Sequence, residues 1–193
     1  MNIVKRVKKI LLEPKKEWEI ISRETTNTSE LYKSYIMPLA AIGPVASIIG
    51  MSIAGLSIPF AGTFRLPITT SVGSAVVQYI LSLVGVYVLA LIVDFLAPNF
   101  YGEKNINQAL KLAAYSYTAG WLSGIFMIVP ALGFFMILGL YGLYLIYTGI
   151  PILMKAPREK ALVYTVTVVI AAVIISVIIG WASRLFISYP MPR

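Results

Sequence analysis

Apolar and polar residues segregate along the chain in two ways, and the change comes near Tyr35. Before it, Ile3, Val4, Val7, Ile10 and Leu11 fall on one side of a helix, while Lys5, Arg6, Lys8 and Lys9 fall on the other. That spacing predicts a short amphipathic helix lying on a membrane surface. Glu13-Pro14 ends it, and Pro14 suits the first position of a second short helix with Trp18 and Ile21 one turn apart. Trp18 is expected at headgroup depth, as interfacial tryptophans are. Thr25-Thr26-Asn27-Thr28-Ser29 reads as a polar linker, with Ser29 as the cap of a turn leading towards the membrane.

Beyond Tyr35 the amphipathic period gives way to apolar runs of roughly 20 residues, each long enough to cross about 30 Å of hydrocarbon. A first span is expected from Tyr35 to Gly55, kinked by Pro38, Gly43 and Pro44. A loop from Leu56 to Pro67 leads to a second span, Thr70 to Leu96, whose last turns carry Asp94. The third, Gln108 to Val129, is less apolar and stops at Pro130, and the fourth runs from Gly133 to Met154. With so short a connection these two should form an antiparallel hairpin. The fifth runs from Ala161 to Ala182.

Composition agrees: 59% of the 193 residues are hydrophobic and 12% are charged, about half the charged share of an ordinary soluble domain. A net charge of +8 would suggest nucleic acid in a soluble protein, but the basic residues lack the interleaved aromatics that stack bases. Their placement indicates topology instead. Eight of them precede the first span, and Lys104, Lys111, Lys155, Arg158 and Lys160 bring one side to thirteen, against Arg65, Arg184 and Arg193 on the other. By the excess of Lys and Arg on the cytoplasmic side, the N-terminus is expected in the cytoplasm and the C-terminus outside. No apolar run follows the basic start early enough for a cleavable signal, so the first span should direct insertion.

Histidine and cysteine are absent, which removes disulfides, thiolate nucleophiles and the commonest metal ligands. A single acid, Asp94, falls within an apolar run, so no carboxylate pair is available for acid and base roles. Neither an enzyme nor a cofactor or metal site is expected. Asp94 reads as an interfacial acid paired with Lys111 or a free amide, or as a site for a cation or proton. Tyr115, Ser116, Tyr117 and Thr118 supply hydroxyls in the third span. Gly120 and Gly124, then Gly139 and Gly142, have the small-residue spacing of close helix packing, with a pore lining as the alternative. The N-terminal set, Lys5, Arg6, Lys8, Lys9, Lys15, Lys16 and Trp18, reads either as a topology signal or as a surface for anionic lipid or a protein partner.

Several stretches also resemble the prokaryotic branch of the Yip1-domain membrane proteins. They are Pro14 through Trp18-Glu19-Ile20-Ile21, Tyr35-Ile36-Met37-Pro38-Leu39, Gln108 through Thr118, Gly139 through Leu145 with Met154-Lys155 and Pro157, and Lys160-Ala161. The resemblance covers most of the chain and implies a five-helix membrane domain with a cytoplasmic N-terminus. Eukaryotic relatives act in vesicle traffic and bind prenylated Rab GTPases. They carry an acidic Leu-Tyr-Gly-Pro motif before the first span, which this chain lacks.

The combined expectation is an all-α membrane protein of the prokaryotic cytoplasmic membrane. Residues 1–33 would form a basic cytoplasmic segment and residues 34–193 a five-helix domain. Its expected function is that of a non-enzymatic scaffold or adaptor, with a small transporter or channel as the alternative. Its expected partners are anionic headgroups, a membrane or cytoplasmic protein, or a second copy, and not nucleic acid.

Overall fold

The computed structural model describes residues 2–58 and 62–186. Two short helices come first, α1 (Ile3–Leu12) and α2 (Pro14–Arg23). Asn2 caps α1 by accepting from the Lys5 amide at 3.1 Å, and Pro14 opens α2 where its missing N–H costs no helical bond. The next cap is Asn27 and not Ser29. Its Oδ1 accepts from the amides of Ser29 and Glu30 at 2.6 and 3.2 Å, since the carboxamide two residues earlier reaches both open donors.

Helix α3 (Thr28–Ala54) is the first span. The expected interruption takes the form of widened, π-helical turns at Tyr32–Ile36 and Ile49–Ala54. Just ahead of Pro38, Met37 donates to the Tyr32 carbonyl five residues back. Gly55 ends the helix at φ 82°, a conformation that costs glycine little. The connection that follows contains a small antiparallel ribbon, β1 (Leu56–Ile58) and β2 (Gly62–Phe64), where the sequence suggested only a loop. Helix α4 (Ile68–Phe100) tightens to a 3₁₀ turn from Ala97. Helix α5 (residues 106–128) is broken at Tyr117 and narrows to 3₁₀ from Gly124. Helix α6 (Pro130–Leu153) is 3₁₀ as far as Leu140 and α-helical beyond. Helix α7 (Arg158–Phe186) completes the described chain.

Among the described residues α3, α4, α6 and most of α7 are long and apolar enough to cross a membrane. Helix α5 does not qualify on that count, because Asn107, Gln108, Lys111 and the hydroxyls from Tyr115 to Thr118 dilute its apolar length. Its packing nevertheless carries it along α3 from end to end. The Tyr35 hydroxyl meets Thr118 Oγ1 at 2.7 Å. Further on, a Cβ on Gly124 would lie 2.9 Å from the Gly43 Cα, and Gly50 abuts the Met127 carbonyl. The polar residues of α5 can be tolerated because it is enclosed by other helices.

Helix α6 returns along α5. Gly139 lies against Gly120 and Ser123, Gly142 against Ser116, and Gly149 against Leu112, so the expected antiparallel hairpin on Pro130 is present. Trp18, Tyr35, Leu112, Tyr115, Leu145, Ile150 and Tyr164 belong to one buried cluster, which therefore includes α2. The outward faces of α4 and α7, with Ile80, Leu81, Val84, Val166, Ile170 and Ile174 exposed, are as apolar as the inside. Such a surface belongs against lipid, and the chain has the all-α membrane fold its sequence indicates.

Candidate functional site

The N-terminal helices form an antiparallel hairpin held to the bundle by side chains from α5 and α6. Trp18 donates its indole N–H to Thr148 Oγ1 at 3.2 Å, and its ring meets Tyr115 edge-on at 6.2 Å. Gly149 makes that position possible, since a Cβ there would come within 2.9 Å of the indole and 2.4 Å of Leu112 Cδ1. Tyr141 donates to the Leu11 carbonyl at 2.9 Å. Lys111 Nζ donates to the carbonyls of Ile21 and Glu24 at 3.0 and 2.5 Å, and Gln108 Nε2 to that of Ser22 at 2.9 Å. These carbonyls lie at the C-terminus of α2, the negative end of its dipole, where a lysine is favoured, and the one at Ile21 also accepts from the Glu24 amide.

Within the hairpin, Arg6 joins the two helices. Its Nη1 pairs with Glu17 Oε1 at 2.5 Å and its Nη2 with Glu24, while the guanidinium lies 5.7 Å from the centre of the Tyr115 ring. Burial alone would lower the Arg6 pKa. The hydrogen bond to Glu24 and the negative groups around it outweigh that, and the pKa sits above its ordinary value. Glu17, only 4% exposed, depends on this arginine, because Lys9 stands off at 3.8 Å. At the tip, Lys16 hydrogen-bonds Glu13 at 3.0 Å and holds that exposed carboxyl below its usual pKa.

The basic candidates therefore divide. Arg6 is a structural link, whereas Lys5, Lys8 and Lys15 are exposed and have no ion pair among the described residues. Trp18 requires a correction, being fully buried against α5 and α6 and so unable to touch headgroups. Glu13, Lys15 and Lys16 are exposed just after the Leu11 to Tyr141 contact, and exposed Tyr144 and Tyr147 follow one and two turns further along α6, residues suited to an aromatic belt. From Tyr141 to Pro130, α6 rises roughly 22 Å as a 3₁₀ helix.

The intramembrane candidates do not converge. Asp94 does not pair with Lys111, which is occupied by the end of α2, and its Oδ1 is buried without a hydrogen-bond partner among the described residues. Tyr115 packs between Trp18 and Tyr35, Thr118 bonds Tyr35, and Tyr117 stacks on Trp121 at 5.7 Å. Ser116 Oγ is buried and likewise without a partner. Of the glycines, Gly124 packs on α3, and Gly139 and Gly142 pack on α5. Gly120 has open space where a Cβ would stand.

Sequence reasoning missed Glu17, Glu24, Tyr35 and Thr148. One signal was present, because Glu17 shares a helical face with Pro14, Trp18 and Ile21, an acid on an apolar stripe that needed a cation.

The family model described as the Yip1 domain matches residues 8–180, which takes in most of the hairpin as well as the bundle. Among curated proteins, the chain is similar to the inner membrane protein YohC of Escherichia coli K12. The two are 26% identical over 185 residues, covering 90% of this chain and 95% of that protein. The protein of the same name from strain O6:H1 matches to the same extent. No solved structure matches the chain.

Proposed function

Because the chain belongs to the Yip1-domain family of membrane proteins, we propose that it is a non-enzymatic membrane scaffold or adaptor whose docking surface is the N-terminal hairpin. The observation that carries this is the division of labour among the basic residues. Lys111 and Trp18 fix the hairpin to the bundle and Arg6 ties its two helices together, which leaves Lys5, Lys8 and Lys15 displayed on a rigid support beside the bilayer. Each such cation contributes about 1 kcal/mol of attraction to an anionic leaflet, and the same charges suit an acidic face of a membrane or cytoplasmic protein. In this reading residues 1–33 face the cytoplasm and the C-terminus lies outside, in a cytoplasmic membrane. The Lys and Arg asymmetry and the inner-membrane relatives support that placement.

Deleting the hairpin is an unsuitable test, because it would remove Trp18 from the core. Charge reversal at Lys5, Lys8 and Lys15 leaves the core untouched. With a photo-crosslinking residue at position 12, exposed on α1, a discrete adduct in native membranes should form with the intact chain and vanish on reversal. An adduct unaffected by reversal would refute the docking role. The unpartnered Asp94 Oδ1 favours one rival reading, a small transporter or channel. Solute flux into liposomes that is lost in Asp94→Ala would establish that reading over this one.

A further inference from the structure

On the opposite side of α6 from the hairpin, a groove of about 480 Å³ runs between α5, α6 and α7. Ser116, Tyr117, Gly120 and Gly139 line one wall, and Ala172 and Val173 line the other. It extends along α6 from Ile146 to Gly139 and along α7 from Val169 to Val177, with Ser116 opposite Gly142 between those ends. Protein interiors are close-packed, so an opening of this size among packed helices is a feature in itself. Gly120 shows the opening directly, because a Cβ at that position would meet no atom within 4 Å.

We propose that this groove is a binding site for one acyl chain of a glycerophospholipid, held with its ester end near Ser116. Among the described residues its lining includes no charged side chain, which disfavours a headgroup phosphate or an ion along its length. Its rim, with Leu143, Val173 and Val177 exposed, is continuous with the lipid-facing surface, so lipid is what reaches it. Its volume falls within the roughly 300 to 1,000 Å³ of small-molecule sites. A transmembrane helix from a second copy, about 10 Å across, fills roughly 1,500 Å³ per 20 Å of length and does not fit. Ser116 gives the site polarity. Its Oγ is buried without a partner among the described residues, so it is free to donate to an ester carbonyl of the bound lipid.

The test is native mass spectrometry of delipidated protein in mild detergent, titrated with palmitoyl-oleoyl phosphatidylethanolamine. The wild type should retain one lipid per chain. Gly120→Leu, which projects a side chain into the groove without a clash at Cβ, should bind about tenfold more weakly. Gly73→Leu is the control. It also has open space at Cβ, but it lies on the exposed face of α4 and should bind as the wild type does. Ala172→Leu fills the groove from α7, so the result does not depend on one variant. Equal retention in all four proteins would overturn the proposal, as would a wild type that stays folded and binds no lipid. A dimer abolished by Gly120→Leu would also overturn it.

Discussion

The indole N–H of Trp18 and the hydroxyl of Thr148, far apart in sequence, meet at 3.2 Å inside the bundle. Thr148 turns its own proton towards the carbonyls of Tyr144 and Leu145, at 2.9 and 3.1 Å, and so presents a lone pair to the indole. Both partners are thereby satisfied, as buried polar groups must be. Through this contact α2 becomes part of the bundle instead of a helix resting on the lipid.

Removing the ring should therefore be expensive. Trp18→Ala is expected to cost about 3 to 5 kcal/mol, because the space between α2, α5 and α6 cannot close around a methyl group. Thr148→Val leaves the indole N–H without an acceptor and should cost about 1 to 3 kcal/mol. Thermal unfolding in detergent measures both. Unchanged melting temperatures would mean that α2 is only lipid-bound.

Arg6 and Glu17 should behave as a unit. Arg6→Met leaves Glu17 buried with only a distant lysine, and a loss of about 3 kcal/mol is expected. Glu17→Leu frees part of the guanidinium but leaves Glu24 to hold it, so its cost should be smaller. The double variant should lose less than the sum of the two, with a coupling of about 1 to 3 kcal/mol in a denaturation cycle. Strict additivity would show that the pair contributes nothing to holding the hairpin.

Much of this fold could be read from periodicity. The shift from an amphipathic period to long apolar runs located α1, the break at Pro14 and four of the spans, all within a few residues except the start of the first, which lies at Thr28 and not Tyr35 because Asn27 caps the helix inside the expected linker. Helix α5 was legible as an element although its polar content keeps it below the apolar length of a span, because Pro130 and the glycine spacing marked its hairpin with α6. What stayed hidden depends on contacts between distant residues. A tryptophan beside lysines looks interfacial until a glycine on another helix, here Gly149, opens a socket for it. In the same way Lys111 is one turn from the hydroxyl cluster in sequence, yet it serves the end of α2, which no local pattern announces.

Lys111 gives a prediction of its own. Lys111→Met preserves most of the apolar stem but removes the donor from the Glu24 carbonyl and leaves that of Ile21 with only the Glu24 amide, and a loss of about 1 to 3 kcal/mol is expected. The effect should be local. Amide exchange in residues 19–24 should accelerate, while exchange in α4 stays unchanged, because the interactions removed are those that fix the C-terminal turn of α2. Uniform acceleration across the bundle would assign Lys111 to the core as a whole.

The crossing of α3 and α5 can be tested with three glycines that differ only in what faces them. A Cβ on Gly50 would stand 1.9 Å from the Met127 carbonyl oxygen, and one on Gly124 would stand 2.9 Å from the Gly43 Cα. In both cases the obstacle is backbone, which cannot swing aside as a side chain would. Gly50→Ala and Gly124→Ala should therefore each cost about 1 to 3 kcal/mol by forcing the helices apart. Gly43 lies at the same crossing, yet its own Cβ direction is open to 4 Å. Gly43→Ala should be neutral or should stabilise by up to about 1 kcal/mol, since alanine is the better helix former. Melting temperatures of the three variants in one detergent decide the matter. If Gly43→Ala destabilised as much as the other two, α5 would not follow α3 in the register described.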